Sequence, residues 1–515
     1  MDETNLPADR ARHLLRRVVA SGASEPAVAP FTGRPFTDLP QSTPEDVATA
    51  LGRAAEAQRA WADVPVRDRA AVLLRFHDLV LRCQDEILDL LQLETGKARW
   101  HAYEEIAIAA INARYYGRRA PGLLARRRRG GVIPGLTSAR ELRHPKGVVG
   151  LVSPWNYPVA LGVSDGLAAL VAGNALVHKP DNQGALAVLR CVDLLHEAGL
   201  PEGLWQVVLG DGPTVGGAVV DSADYVCFTG STRTGRTVGR RAGERLVGCS
   251  LELGGKNAML VLDDADVNRA AEGAVRACFS SAGQLCVSIE RIYVDRRVHD
   301  VFVAAFLRRV RAMRLAPGTD WSVDMGSLVS QRQLDAVRAH VDDAVDKGAR
   351  VLAGGRHRPD LGPYFFEPTV LADVTPDMAC FADETFGPVV AIHPFDHLEE
   401  AVAAANATPY GLNASVWSRD RCRGARVAAR LRAGSVNVNE GYAASYGSVD
   451  VPMGGVGASG VGRRHGADGL LRFTEAQAVV TQHVMGLGRP PGVSYPLLAR
   501  GYTLMLRALR RIGRA

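Results

Sequence analysis

A cysteine, a glutamate and an asparagine carry the chemistry that this sequence could do. Cys286 ends Gly283-Gln284-Leu285-Cys286, a small, flexible lead-in that places a thiol on a loop. A thiolate attacks carbonyl carbon once its proton is removed, although a cysteine after a glycine is by itself as compatible with a buried, inert thiol. Glu252 is the one carboxylate of Leu251-Glu252-Leu253-Gly254-Gly255-Lys256. Burial among such neighbours raises its pKa toward neutrality and makes it a usable general base; the bland alternative is a glutamate tied to backbone amides. Asn156, in Ser153-Pro154-Trp155-Asn156-Tyr157-Pro158, offers a side-chain N–H to a developing oxyanion, or else closes an Asx turn ahead of a helix.

Two further stretches suit a phosphate-bearing ligand. Phe228-Thr229-Gly230-Ser231-Thr232-Arg233-Thr234-Gly235 joins a predicted strand to a predicted helix. Its Gly-x-x-x-x-Gly spacing is not the usual dinucleotide fingerprint, but its glycines and helix N-terminus suit a pyrophosphate. His178-Lys179-Pro180 closes another strand with an ammonium group that can meet ribose hydroxyls or a phosphate. Lysine is scarce: Lys97, Lys146, Lys179, Lys256 and Lys347 are all of them. Where arginine supplies the generic positive charge, a retained lysine is informative, because a compact ammonium is not interchangeable with a planar fork.

The elements that must position these residues alternate. The first 125 residues read mostly as helices, over Pro44 to Trp61, Ala70 to Glu94 and Trp100 to Tyr116. From Gly147 the pattern becomes strand and helix by turns. Strands are predicted at Gly147 to Val152, Ala175 to His178, Trp205 to Leu209 and Tyr225 to Phe228, then at Ala258 to Leu262 and Arg291 to Val294. Such alternation argues for α/β architecture with parallel sheets covered on both faces, and ligands bind beyond the carboxyl ends of such strands.

Composition bounds the rest. The chain has 515 residues, 47% hydrophobic and 23% charged, which excludes a mostly disordered or collagen-like chain. The net charge of +6 is concentrated at the end, where six arginines and no acidic residue follow Met485. A nucleic-acid binder carries its basic footprint on a folded face, so nucleic acid is not an expected partner. Arg126 to Arg129 read as a solvated turn. Eight dispersed cysteines with no CxxC pair predict neither a zinc site nor a disulfide framework. Met1 to Asn5 lacks a signal-peptide core and no apolar run is long enough to span a bilayer, so the expected location is the cytoplasm. After an Arg489-to-Pro496 linker, Leu497 to Arg514 reads as a basic amphipathic helix. Such a face usually packs on the body or on another subunit; its functional reading is a weak, peripheral membrane-surface contact.

Taken together and in this order, the five motifs resemble those of the aldehyde dehydrogenase superfamily, over nearly the whole chain. Glu384-Thr385-Phe386-Gly387-Pro388 and Pro452-Met453-Gly454-Gly455, running on to Ser459-Gly460-Val461-Gly462-Arg463, add to the resemblance. It implies an aldehyde dehydrogenase-like α/β fold. A Rossmann-like NAD(P)-binding domain would cover 1–126 and 145–252, and a second α/β catalytic domain 253–473. A small β region over 127–144 and 474–485 would pair subunits into homodimers or homotetramers, and 486–515 would form the linker and terminal helix. The resemblance makes Cys286 the nucleophile, Glu252 the base for thioester hydrolysis and Asn156 the oxyanion donor. It places Trp155, Asn156, Lys179, Asn182, Gly230, Ser231, Gly235, Leu253, Glu384 and Phe386 on the cofactor, and it implies no metal.

NAD-preferring members often carry a glutamate three residues after the lysine matching Lys179. This chain has Asn182, which removes a like-charge penalty against a ribose 2′-phosphate and implies NADP as the preferred cofactor, with NAD accepted; Asn182 could also cap the following helix. Longer stretches, Gly96-Lys97-Ala98-Arg99-Trp100 and Asn437-Val438-Asn439-Glu440-Gly441-Tyr442 among them, resemble NADP-dependent succinate-semialdehyde dehydrogenases of the second actinobacterial type. The chain departs from well-studied enzymes for that substrate, which carry arginines nine residues after the asparagine and just before the cysteine. It has Asp165 and the pair Ser280-Ser281 there. An Asp165 facing the tunnel would repel a substrate carboxylate, and an unpaired carboxylate is costly to bury. Another arginine must then substitute, or the aldehyde is fatty or aromatic, which Tyr442 and Tyr446 suit equally. Glu252 argues against a CoA-acylating enzyme, and the intact trio against a non-catalytic scaffold.

Overall fold

The computed structural model describes residues 8–132, 136–483 and 488–511. Met1 to Asn5, part of the expected oligomerisation region (133–135, 484 and 485), and Ile512 and Arg514 of the terminal helix lie outside the described residues.

Two α/β layers carry the molecule. Val148–Ser153, Ala175–Pro180, Trp205–Val207, Tyr225–Thr229 and Gly248–Glu252 form a parallel sheet, closed at one edge by the antiparallel Gly460–Val461 strand. Nearly every side chain of its inner strands is buried, which is why those segments read as unbroken apolar runs rather than alternating ones. Asn257–Val261, Ile289–Asp295, Thr369–Ala372, Val389–Phe395, Asn413–Trp417 and Ser435–Val438 form a second parallel sheet, with Arg350–Ala353 antiparallel at its edge. The return of Gly460–Val461 to the strand that ends at Glu252 ties the later half of the chain to the first sheet.

Several expected elements change in detail. Ala70 to Glu94 is two helices, Val66–Arg82 and Gln84–Thr95, broken at Cys83; the apolar periodicity continues across the break and hides it. A Ser24–Ala29/Arg34–Pro40 hairpin precedes them, too short and proline-rich for its alternation to stand out. Arg127–Arg129 is an exposed edge strand rather than a turn, paired with Thr137–Pro145, and that strand also pairs with Thr474–Gln482. The Tyr495–Arg511 helix has no fully buried residue, and Leu498, Tyr502, Met505 and Leu509 along one face are half-buried. No described helix is long and apolar enough to cross a membrane.

Candidate active site

Trp155 and Asn156 leave the carboxyl end of Val148–Ser153, and Gly230 and Ser231 that of its neighbour Tyr225–Thr229. The strand order reverses between these two, and an open α/β sheet leaves a ligand crevice at such a point. A cavity of about 510 Å³ occupies it, bounded by Trp155, Asn156, Gly230, Ser231, Leu253, Glu384 and Phe386 and reaching Glu252 and Cys286. Ser231 caps the Thr232–Glu244 helix, its hydroxyl accepting from Thr234 N at 3.3 Å.

Cys286 enters from the other layer. It precedes the amino end of Ile289–Asp295, so this thiol is not at a strand's carboxyl end, as the general rule for such sheets suggests. Its lead-in holds three successive left-handed residues, Ser281, Ala282 and Gly283, with φ of 52°, 56° and 70°. Strain of this kind persists where the surroundings over-determine it. Here the backbone N–H of Ser281 donates to His101 Nδ1 at 3.1 Å, and Val329 N donates to Gln284 Oε1 at 3.0 Å. Asn257 Nδ2 donates to the carbonyls of Cys286 and Ser288 at 2.8 and 2.7 Å. A Cβ on Gly283 would lie 2.0 Å from the Gly387 carbonyl oxygen, so only glycine fits.

Asn156 Nδ2 donates to the Gln284 carbonyl at 2.9 Å. That bond fixes the amide plane against the cysteine loop and leaves the amide's second N–H for a ligand. Burial pushes the Cys286 thiol up to about 12, with the Glu252 and Glu384 carboxylates adding to the shift, so a base must take its proton before it can attack. Glu252 closes its strand, buried, with Oε1 lacking a hydrogen-bond partner among the described residues. Burial raises its carboxyl to about 7 against the opposing pull of Arg464. These values match donor to acceptor poorly but leave Glu252 able to cycle between acid and base near neutrality.

The remaining expected contacts divide. Glu384 Oε1 accepts from Gly255 N at 2.8 Å, and burial raises its carboxyl to about 8. Phe386 stands edge-on to Trp155, ring centroids 5.6 Å apart. Lys179, Asn182 and Gly235 do not line the cavity. Lys179 is buried at the end of Ala175–Pro180, where burial lowers its ammonium pKa against Asp181 and Asp211. Asn182 is engaged on both sides, donating to Gln41 Oε1 at 3.0 Å and accepting from Gly210 N at 3.2 Å. It does not cap the following helix; Asp181 does, accepting from Gln183 N at 3.0 Å. Gly235 packs closely on Leu253, since a Cβ there would lie 2.3 Å from Leu253 Cδ2.

Asp165 does not face a tunnel. It is buried and held by Arg464 Nη2 at 2.8 Å and Arg472 Nη2 at 2.6 Å, and the two guanidinium groups keep its carboxyl below the ordinary range despite burial. The charge repulsion expected from it is therefore neutralised within the fold. Sequence reasoning also missed two buried pairs. Lys97 donates to Glu105 and, at 2.6 Å, to the Asn156 carbonyl, while Glu105 accepts from Val159 N and Ala160 N at 2.9 and 3.1 Å. Lys256 donates to Glu290 at 2.5 Å, and Glu290 accepts from Thr385 N and Phe386 N. The first pair clamps the oxyanion turn and the second the Glu384–Phe386 segment. The scarcity of lysine was the available signal for both.

The aldehyde dehydrogenase family profile matches residues 18–479. The chain belongs to the aldehyde dehydrogenase family. A Mycolicibacterium smegmatis relative carrying the name "Putative succinate-semialdehyde dehydrogenase [NADP(+)]" is 53% identical over 510 residues, 98% of each chain. A relative of like name from Mycobacterium tuberculosis H37Rv is 50% identical over 98% of each. A Methylomonas protein named 4,4'-diapolycopene aldehyde oxidase is 38% identical over 92% of this chain and 89% of its own. Among solved structures, betaine aldehyde dehydrogenase of Staphylococcus aureus in complex with NAD+ is 28% identical. It superposes with a TM-score of 0.85 over 94% of this chain and 99% of its own. Enzymes of this family oxidise aldehydes, and the cavity described above brings Cys286, Glu252 and Asn156 together.

Proposed function

We propose that this aldehyde dehydrogenase oxidises succinate semialdehyde to succinate, with NADP as the preferred cofactor and NAD as an accepted one. The observation that carries the reaction is the convergence of Cys286, Glu252 and Asn156 on the cavity that opens between Gly230 and Phe386. The names of relatives at 50–53% identity support the substrate and NADP. The neutral Asn182, where a carboxylate would repel a 2′-phosphate, supports NADP as well.

Glu252 takes the thiol proton and the Cys286 sulfur attacks the aldehyde carbon, forming a thiohemiacetal. The oxyanion rests against the free N–H of Asn156 and the Cys286 backbone N–H. Trp155, Ser231, Glu384 and Phe386, with Lys179 toward the ribose, would hold the dinucleotide, which when bound would supply the hydride acceptor. A thioester on Cys286 remains. Glu252, having released its first proton to solvent, takes one from water; the hydroxide attacks the thioester carbon, and the acid leaves as the sulfur is reprotonated. In this reading 1–126 and 145–252 bind the cofactor, 253–473 carry the thiol, and the region of 127–144 and 474–485 pairs subunits. The terminal helix then meets a second subunit or, weakly, a membrane surface.

An apolar aldehyde is the second reading. Tyr157, Leu161, Tyr442, Tyr446 and Met453 pack with Cys286 in one cluster, and the Methylomonas relative is named for a long apolar aldehyde. NADPH or NADH formation from succinate semialdehyde, a medium-chain aldehyde and benzaldehyde separates the readings, with Cys286→Ser as control. A lead for succinate semialdehyde with NADP of ten-fold or more in kcat/KM, about 1.4 kcal/mol, supports the first; a lead for the apolar aldehydes supports the second. Turnover that requires CoA would overturn the hydrolytic step in both.

A further inference from the structure

Three buried charges meet behind Glu252, and they do not balance. Asp165, on the Ser164–Val171 helix, takes Arg464 Nη2 on one carboxylate oxygen at 2.8 Å and Arg472 Nη2 on the other at 2.6 Å. None of the three side chains is more than 8% exposed. One carboxylate against two guanidinium groups leaves a positive charge in excess, and an uncompensated buried charge is costly. The polar neighbours do not cancel it. Burial pushes the Cys227 thiol, which donates to Asp165 at 3.3 Å, up to about 12, raises the Tyr446 hydroxyl and lowers His465 to about 3, so all three are uncharged near neutrality.

The fold sets Glu252 against this cluster. Its strand pairs it with Thr229 on one side and Gly460 on the other. Register partners point to the same face of a sheet, and Arg464 Nη2 reaches Thr229 Oγ1 at 3.5 Å. Beyond Gly460 the chain turns back so that Arg464 and Met453 exchange backbone hydrogen bonds of 2.7 and 2.8 Å. A Cβ on Gly454, next to Met453, would lie 3.0 Å from Glu252 Oε1. His465, left-handed with φ of 63°, fixes the direction of that turn at a cost in strain. Glu252 Oε1 and Arg464 Nε are both buried without a hydrogen-bond partner among the described residues.

We propose that Arg464 is a positioning residue for the base: its guanidinium charge, held in place by Asp165, sets the pH at which Glu252 ionises. This rests on the reading of Glu252 as the base and names the group that keeps it usable near neutrality. Burial by itself favours the protonated acid. Arg464 opposes it most strongly, Arg472 and Arg463 in the same sense, while the Asp165 charge adds to the effect of burial. Cys286 faces Glu252 from the other side, and the same Arg464 charge favours its thiolate against burial. Ionised Glu252 supplies the negative charge that the cluster lacks, so taking a proton from the thiol or from water restores the imbalance and releasing it removes the imbalance. Asp165 therefore acts twice, anchoring Arg464 and resisting ionisation of Glu252. Loss of the Arg464 charge and loss of the Asp165 charge should move the base in opposite directions, which a purely structural role for the pair would not do.

The test is the pH dependence of kcat of the full-length enzyme with its best aldehyde, read beside the infrared band of the protonated Glu252 carboxyl, identified as the band that Glu252→Gln removes. Arg464→Gln loses the charge but can still donate to Asp165, and both midpoints are expected to rise by about one pH unit. Arg464→Lys keeps the charge and should bring them back toward wild type. Asp165→Asn should lower them. Arg464→Gln leaves Asp165 and Arg472 as a balanced pair, so it decides the proposal even where Asp165→Asn does not fold, and the infrared midpoint decides where another step limits kcat. A wild-type midpoint that Arg464→Gln leaves in place, whatever becomes of kcat itself, overturns the role of Arg464 and spares Glu252 as the base. Midpoints that move the same way in Arg464→Gln and Asp165→Asn also overturn it. A wild-type profile with no limb and no titrating band overturns the base reading and this proposal with it.

Discussion

At Cys286 the roles proposed above make separable demands. Cys286→Ser should abolish dinucleotide reduction while leaving cofactor binding intact, measured by fluorescence titration with NADPH. Asn156→Ala removes one oxyanion donor and should cost about 10²–10³ in kcat. Glu252 gives a pH dependence with a definite sign. Burial raises its carboxyl to about 7, and only the ionised form can take a proton, so the hydrolytic step should rise with pH through about 7 and fall away below it. Glu252→Gln should flatten that limb and slow formation of the first NADPH as well as turnover, because the same carboxylate takes the thiol proton. A wild-type profile flat from pH 5 to 9 would remove Glu252 from the base role.

The loops hold this chemistry through a few elements with little tolerance. The Ser281–Gly283 segment is left-handed throughout, and a Cβ at Gly283 would meet the Gly387 carbonyl oxygen. Gly283→Ala should therefore lower Tm by several degrees and disable turnover, because the strain of a left-handed non-glycine residue, about 1–2 kcal/mol, adds to a backbone clash. The oxyanion turn depends on Lys97 and Glu105, both buried. Removing one charge leaves the other unpaired, a loss of about 3–5 kcal/mol, so Lys97→Met alone should unfold at a lower temperature. The double variant Lys97→Met/Glu105→Gln should recover Tm but not the Asn156 contribution to kcat, since nothing then holds the Asn156 carbonyl. Recovery of both would make the pair purely structural.

At the scale of the whole molecule, one edge strand and one terminal helix expose apolar side chains near the end of the chain. The Thr474–Gln482 strand lies at the edge of its sheet with all but its first residue exposed, and such an edge offers unpaired backbone groups to another chain. Val480 is 60% exposed there. Val480→Lys, a charge placed where a partner strand would dock, should shift the mass measured by light scattering toward the monomer; an unchanged mass would remove this strand from the subunit interface. The Tyr495–Arg511 helix leaves Leu497, Leu504 and Leu506 in solvent. Deleting 497–515 tests the membrane reading against the subunit reading: a fall in association with anionic liposomes favours the first, a fall in oligomer mass the second.

Local rules carried much of this protein. Buried parallel strands announce themselves as short apolar runs between breakers, so Val148–Ser153, Ala175–Pro180 and Tyr225–Thr229 were legible, and so were the helices with clear spacing. Cys286, Glu252 and Asn156, which the fold brings to one cavity, stood out because each sits in an unusual local setting of glycine, proline and apolar neighbours. What the sequence could not determine were the partners of buried charges. Asp165 is opposite Arg464 and Arg472 across some three hundred residues of chain, and Lys97 reaches Asn156 across fifty-nine. Desolvation makes such charges pair, but no local pattern says with what. Only tertiary structure paired Asp165 with Arg464 and Arg472 and set Asn182 between Gln41 and Gly210, because each outcome depends on which distant surface arrives beside the residue.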